Sequence, residues 1–168
     1  SPLSVLLLPM TDAGLSDVYG NPVTLNGNVA RSGAAYAPLT GNVYSAVFDG
    51  TGDYLSLPWS ADYLFGLGDF TVEFWLKMAA QAADKVVVDA YKNGFSTWQI
   101  YISSAGKVVF YESNPNSAAS LGVLSVNDNA WHHIAVCRSG VTLLTYIDGA
   151  LDKSVSNSKN HNQPADFL

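Results

Sequence analysis

Two glutamates, one cysteine and eight lysines and arginines are all that 168 residues hold of those types. Each scarcity closes off a class of function. Binding a nucleic-acid backbone takes clustered Lys and Arg. Here the basic residues are scattered and the net charge is −6, so no nucleic-acid partner is expected. The acidity attracts cations, but it also serves plain solubility. Cys137 has no second cysteine to pair with, so no intrachain disulfide forms and the redox compartment is left open. Set in the apolar run IAVC, it reads as a small core residue. No Asn-x-Ser/Thr sequon occurs. Long hydrophobic runs are missing as well. VLLLPM at Val5 to Met10 is too short to span a bilayer and follows no basic region, so neither membrane insertion nor a signal peptide is expected.

What is present is apolar and aromatic. Hydrophobic residues make up 48% and charged residues 13%, which suits a globular β-protein. The period is two. In DFTVEFWLKM, Phe70, Val72, Phe74, Leu76 and Met78 share one face, and Trp98, Ile100 and Ile102 share another in TWQIYIS. Further strands are predicted near 4–9, 22–26, 44–49, 53–58, 85–91, 107–112, 119–126, 131–138, 141–148 and 150–155. Short turns separate them, and Asp148-Gly149 is a two-residue hairpin signal. Helix is confined to a single turn at 60–66 and either a second turn or a loose loop at 79–84. The pattern predicts one all-β domain over residues 1–168, an antiparallel β-sandwich or jelly roll.

The ordered stretches FDGTGDYLSLP, GDFTVEFWLK, TWQIYISSAGKVVFY, AWHHIAVCRSG and TYIDGALD carry a resemblance. From about Ser4 to about Asp152 the chain resembles the laminin-G-like, concanavalin A-like lectin/glucanase superfamily, in its bacterial and phage form. VLLLPM followed later by PVTLNGNV is similar to how such domains open. The resemblance implies a jelly roll of two packed antiparallel sheets. It also implies a closing strand with an Ile-Gly pair and another with Asp-Glu, and these are missing before PADFL. The expectation is that the strand at Val5 to Pro9 meets a partner there, either more of the same polypeptide or a neighbouring subunit. The tail SNSKNHNQPAD is expected to pack little.

Fold does not fix function. Glucanases of the superfamily carry Glu-x-Asp-x-x-Glu on one strand, which supplies the carboxylate pair of a retaining mechanism. Here Glu73 and Glu112 each stand alone, so no catalysis on β-glucans is expected. His132 and His133 are adjacent on a strand and point to opposite faces, so they do not chelate one metal together. No nucleophile motif and no glycine-rich phosphate loop is visible.

Asp49-Gly50-Thr51-Gly52-Asp53 joins two strands and has two readings. As a turn, glycines supply positive φ and the aspartates bind backbone amides. As a calcium loop, which the resemblance also implies, Asp49 and Asp53 are the ligands of a structural Ca²⁺, with Asp17 as a further donor. Sugar-stacking candidates are Trp75, Tyr101 and Tyr111 on outward faces and Trp59 and Tyr63 in a loop. The expected function is a non-catalytic recognition or adhesion module that binds glycan or protein. It would belong to a larger extracellular or virion protein, such as a phage tail fibre or capsid decoration. The alternative is a purely structural assembly domain, and a glycan-processing enzyme comes third.

Overall fold

The computed structural model describes residues 8, 10–11, 14–33, 44–92, 95–113 and 116–161. Apart from Leu8, the strand expected over 4–9 and the end of the chain past His161 lie outside the described residues. The chain divides into two compact units, residues 1–60 and residues 61–168.

The first unit is made of short antiparallel pairs. β1 (Met10–Thr11) pairs with β2 (Gly14–Leu15), β3 (Thr24–Asn26) with β6 (Tyr54–Ser56), and β4 (Ala30–Ser32) with β5 (Ser45–Val47). β1, β2 and β4 were not anticipated. Two or three residues are too few to show an alternation.

The second unit holds the sandwich. One four-stranded sheet runs in the order β11 (Asn116–Ser125), β10 (Lys107–Ser113), β9 (Phe95–Ile102), β8 (Lys85–Lys92). The other runs β14 (Ala150–Ser156), β13 (Thr142–Ile147), β12 (Trp131–Ser139), β7 (Phe70–Lys77). Every pairing is antiparallel. The only helical element among the described residues is a 3-10 turn at Ala61–Tyr63, within the expected 60–66. Residues 79–84 form loop. The Asp148-Gly149 hairpin behaves as its sequence predicts, with φ of 53° and 79°.

The alternation decides what goes inside. Trp98, Ile100, Ile102, Val108 and Phe110 from one sheet face Phe70, Ile134, Val136, Leu143 and Ile147 from the other, and all are buried. Aromatic rings bridge the layers. Phe70 stacks on Phe65 at 4.1 Å and on Phe110 at 5.7 Å, and Trp98 lies 4.8 Å from Phe65. The Trp98 indole N–H donates to the Tyr63 carbonyl at 2.8 Å, so this large ring is buried with its polar atom satisfied.

Two expectations are corrected here. Cys137 is not a core residue. It alternates outward between Val136 at 0% and Arg138 at 2% exposure and is only half-buried. The described part of the polar tail, through His161, does pack, since Asn157 and His161 are buried at 4% and 3% exposure. Their partner is Glu112, 2% exposed, on the inner face of β10. Glu112 Oε1 accepts from Asn157 Nδ2 at 2.7 Å and lies 3.2 Å from His161 Nδ1. Burial lowers the pKa of His161 against the pull of Glu112, with Arg138 and Lys159 acting in the same direction as burial. A neutral ring donating Nδ1–H to Glu112 fits that balance.

Truncating Phe70 to Ala removes the ring that links Phe65, Phe110 and the Arg138 guanidinium. Denaturant unfolding should show a loss of about 3–5 kcal/mol. A loss under about 1 kcal/mol would contradict this core assignment.

Candidate ligand-binding face

Asp49 and Asp53 lie in the turn between β5 and β6. Asp53 Oδ1 accepts the Asn28 N–H at 2.7 Å and Oδ2 accepts the Asp49 N–H at 2.9 Å. Asp49 Oδ1 accepts the Thr51 N–H at 2.7 Å and Oδ2 accepts from Asn28 Nδ2 at 3.2 Å. All four carboxylate oxygens therefore hold the turn and its neighbour. Gly27 has φ +77°, and a Cβ there would run into the Asp53 carboxylate, so the approach requires glycine. Asp17 is buried and binds Asn21 through its own turn. Calcium takes six to eight oxygens. Among the described residues no three His, Cys, Asp or Glu converge to hold a metal. The described donors fit a turn locked by its own side chains and do not by themselves fit a calcium shell.

The two glutamates are separated by a layer. Glu73 lies on the outward face of β7, its side chain 63% exposed and 3.6 Å from His133 Nε2. Glu112 lies inside, on the other sheet. They cannot flank one glycosidic bond at the roughly 5 Å of a retaining pair. His132 and His133 diverge as expected. His133 packs against Trp75 at 5.1 Å, and Trp75 is half-buried.

His132 has a role that its sequence context did not reveal. Its Nδ1 meets Asp148 Oδ2 at 2.8 Å and its Nε2 meets Asp128 Oδ1 at 3.1 Å. Partial burial disfavours the imidazolium, but the hydrogen bonds and charges of Asp148 and Asp128 outweigh it and raise the pKa. Asp128 is held low by the Ala130 N–H and then by His132. In Asp148, burial is outweighed by His132 and the His133 N–H, and the pKa falls. The arrangement ties the turn before β12 to the β13–β14 hairpin.

The outward face of the β8–β11 sheet is the candidate site. Register places Asp89, Gln99, Tyr111 and Ala118 in one row across the sheet, and Val86, Tyr101, Val109 and Leu121 in the next. Tyr101 and Tyr111 are thus diagonal neighbours on adjacent strands. Beside them Asp89 Oδ2 accepts from Gln99 Nε2 at 2.9 Å and from Ser96 Oγ at 3.1 Å, which fixes an amide and a carboxylate. The Tyr101 phenol is kept protonated by burial first, then by the charge of Asp84 and by Tyr111. Tyr101, Gln99 and Tyr111 are half-buried, Asp89 is exposed and Val109 is fully buried. The face is therefore a shelf, with an apolar base and hydrogen-bonding groups along its margin. Trp59 lies in a loop, and Tyr63 ends the 3-10 turn as the acceptor for Trp98. Alternation identified Tyr101 and Tyr111. Asp84, Asp89 and Gln99 were missed, because only cross-strand register brings them there.

These sheets form an antiparallel sandwich of the jelly-roll class. The chain belongs to the concanavalin A-like lectin/glucanases superfamily, whose family model matches residues 49–167. Among solved structures, the binding domain of Paraclostridial Mosquitocidal Protein 1 shares the fold with a TM-score of 0.74 at 15% identity, over 95% of this chain and 42% of that one. An S-layer domain-containing protein from Clostridium thermocellum aligns at 21% identity over 100% of this chain and 73% of that one, with a TM-score of 0.45. The alginate lyase from Corynebacterium sp. aligns at 10% identity over 55% and 40%, with a TM-score of 0.30. The chain spans 42% and 40% of the first two solved chains it matches. Comparison with curated proteins gives no match.

Two measurements check this description. Asp53→Ala removes two backbone acceptor contacts and should cost about 1–2 kcal/mol, equally in EDTA and in calcium. A cost seen only with calcium present would establish an ion at the loop. For His132 the raised pKa means its stabilisation is complete below the ordinary value of 6.5 and is lost as pH rises through the folded-state value. His161, shifted the other way, weakens the fold only as pH falls through about 6.5. Wild-type stability should therefore fall as pH rises from about 6.5 through the folded-state pKa of His132, and His132→Gln should flatten that slope in thermal melts. An unchanged slope would remove the clamp.

Proposed function

We propose that this chain is a non-catalytic recognition module that takes glycans on the outward face of β8–β11. The observation that carries the reading is the Tyr101–Tyr111 pair beside the Asp89–Gln99 hydrogen bond. Aromatic rings give a sugar ring's apolar face a surface to stack on, and fixed amide and carboxylate groups receive its hydroxyls. The separation of Glu73 from Glu112 supports binding without hydrolysis. Such a module belongs in a larger surface-exposed or virion protein, as an adhesion element toward cell-surface carbohydrate. Neighbours in the same assembly would pack on its other surfaces.

The test is a glycan array with wild-type protein and a Tyr101→Ala/Tyr111→Ala variant, both checked for folding. Wild type should retain a subset of glycans, and the variant should lose them about tenfold or more. A blank array would leave a structural assembly role, and a variant that binds as well as wild type would move the site off this face. Release of reducing ends from a retained glycan, abolished by Glu73→Gln, would overturn the non-catalytic reading.

A further inference from the structure

Resting on the glycan reading of that face, we propose that its ligand is an amine-bearing sugar chain. Two acids flank the tyrosines. Asp84 stands just before β8 and Asp89 lies within it, five residues on, or about 16 Å along an extended strand. Both residues are exposed. Each is oriented through one carboxylate oxygen. Asp84 Oδ1 accepts the Ser104 N–H at 2.8 Å, and Asp89 Oδ2 accepts from Ser96 and Gln99. Among the described residues nothing engages the second oxygen of each carboxylate, which is left to meet a ligand.

Positive charge on this face is already committed. Lys107 Nζ donates to the Val123 carbonyl and to Ser125 Oγ. Lys85 stands in register with Ile102, whose side chain points inward, and Lys92 at the far end of β8 has a partner of its own. The face thus presents two fixed carboxylates and two phenol rings. A protonated amine gains a charge-assisted hydrogen bond to either acid and attraction to the tyrosine rings. A uronate or sulfated chain meets repulsion from both acids. An N-acetylated or neutral chain keeps only stacking and neutral hydrogen bonds.

The experiment is calorimetric titration of the intact chain with a glucosamine oligomer, its fully N-acetylated counterpart, an oligouronate and a lysine-rich peptide. The glucosamine oligomer should bind about tenfold or more tighter than the N-acetylated one, the scale of a charge-assisted contact. High salt should shrink that ratio. Asp84→Asn with Asp89→Asn, which keeps the orienting acceptors, should bring the ratio close to one. Equal binding of the two oligomers, preference for the oligouronate, or peptide binding as tight as the glucosamine oligomer would each overturn the inference. Sugar binding without amine preference sinks this inference alone. Failure of every oligomer, with a blank glycan array, sinks the recognition reading beneath it too.

Discussion

The sandwich turns on one buried cation. Arg138 is 2% exposed, and its guanidinium donates to the Gly68 carbonyl through Nε at 3.0 Å, to Gly66 through Nη2 at 2.7 Å and to Lys159 through Nη1 at 2.6 Å. Burial alone disfavours its charge, and the charges of Asp69 and Glu112 act the other way. An unpaired buried charge is severely destabilising, so these carbonyls have to be in place. That requirement holds the loop before β7 and the segment after β14 against β12. Phe70 closes the site, with the guanidinium 5.5 Å from its ring centre.

The same demand explains the segment that follows β14. Its composition is polar, yet it enters the interior because Glu112 and Arg138 need partners there. Lys159 gives its carbonyl to Arg138, Asn157 its amide to Glu112, and the His161 N–H reaches the Gly66 carbonyl at 2.9 Å. The ring of His161 then stands edge-on to Phe70 and Phe110. Polar groups thus complete a core whose apolar part comes from the two sheets. Because the chain's glutamate of strand β10 is committed to this task, it is not available to a ligand.

A second constraint acts at the seam between the sheets. Asp152 on β14 accepts the backbone N–H of Val123 at 3.0 Å and of Leu124 at 2.8 Å on β11. A Cβ on Gly122 would run into that carboxylate, so the approach requires glycine. Lys107 occupies the Val123 carbonyl. Side chains have thus taken two of the donors and one of the acceptors that this edge strand would otherwise offer to another chain.

Period-two alternation by itself determined the long strands, the inward rows through Phe70, Trp98 and Ile134, and the outward placement of Tyr101 and Tyr111. It works because successive side chains on a strand point to opposite faces whatever lies beyond them. Asp148-Gly149 was legible for a similarly local reason, since its backbone conformation needs no distant partner. The isolation of Glu73 and Glu112 was also legible, but not the role of Glu112, whose partners lie 45 and 49 residues further along the chain. Cys137 was misplaced because composition suggested a core residue, whereas the register set by Val136 and Arg138 turns it outward. Only the tertiary structure decided the Arg138 site, the clasp of His132 by Asp128 and Asp148, and the meeting of Asp89 and Gln99 with the two tyrosines. Each needs at least one partner that no local pattern points to: loop carbonyls for Arg138, a second hairpin for His132, and cross-strand register for Asp89 and Gln99.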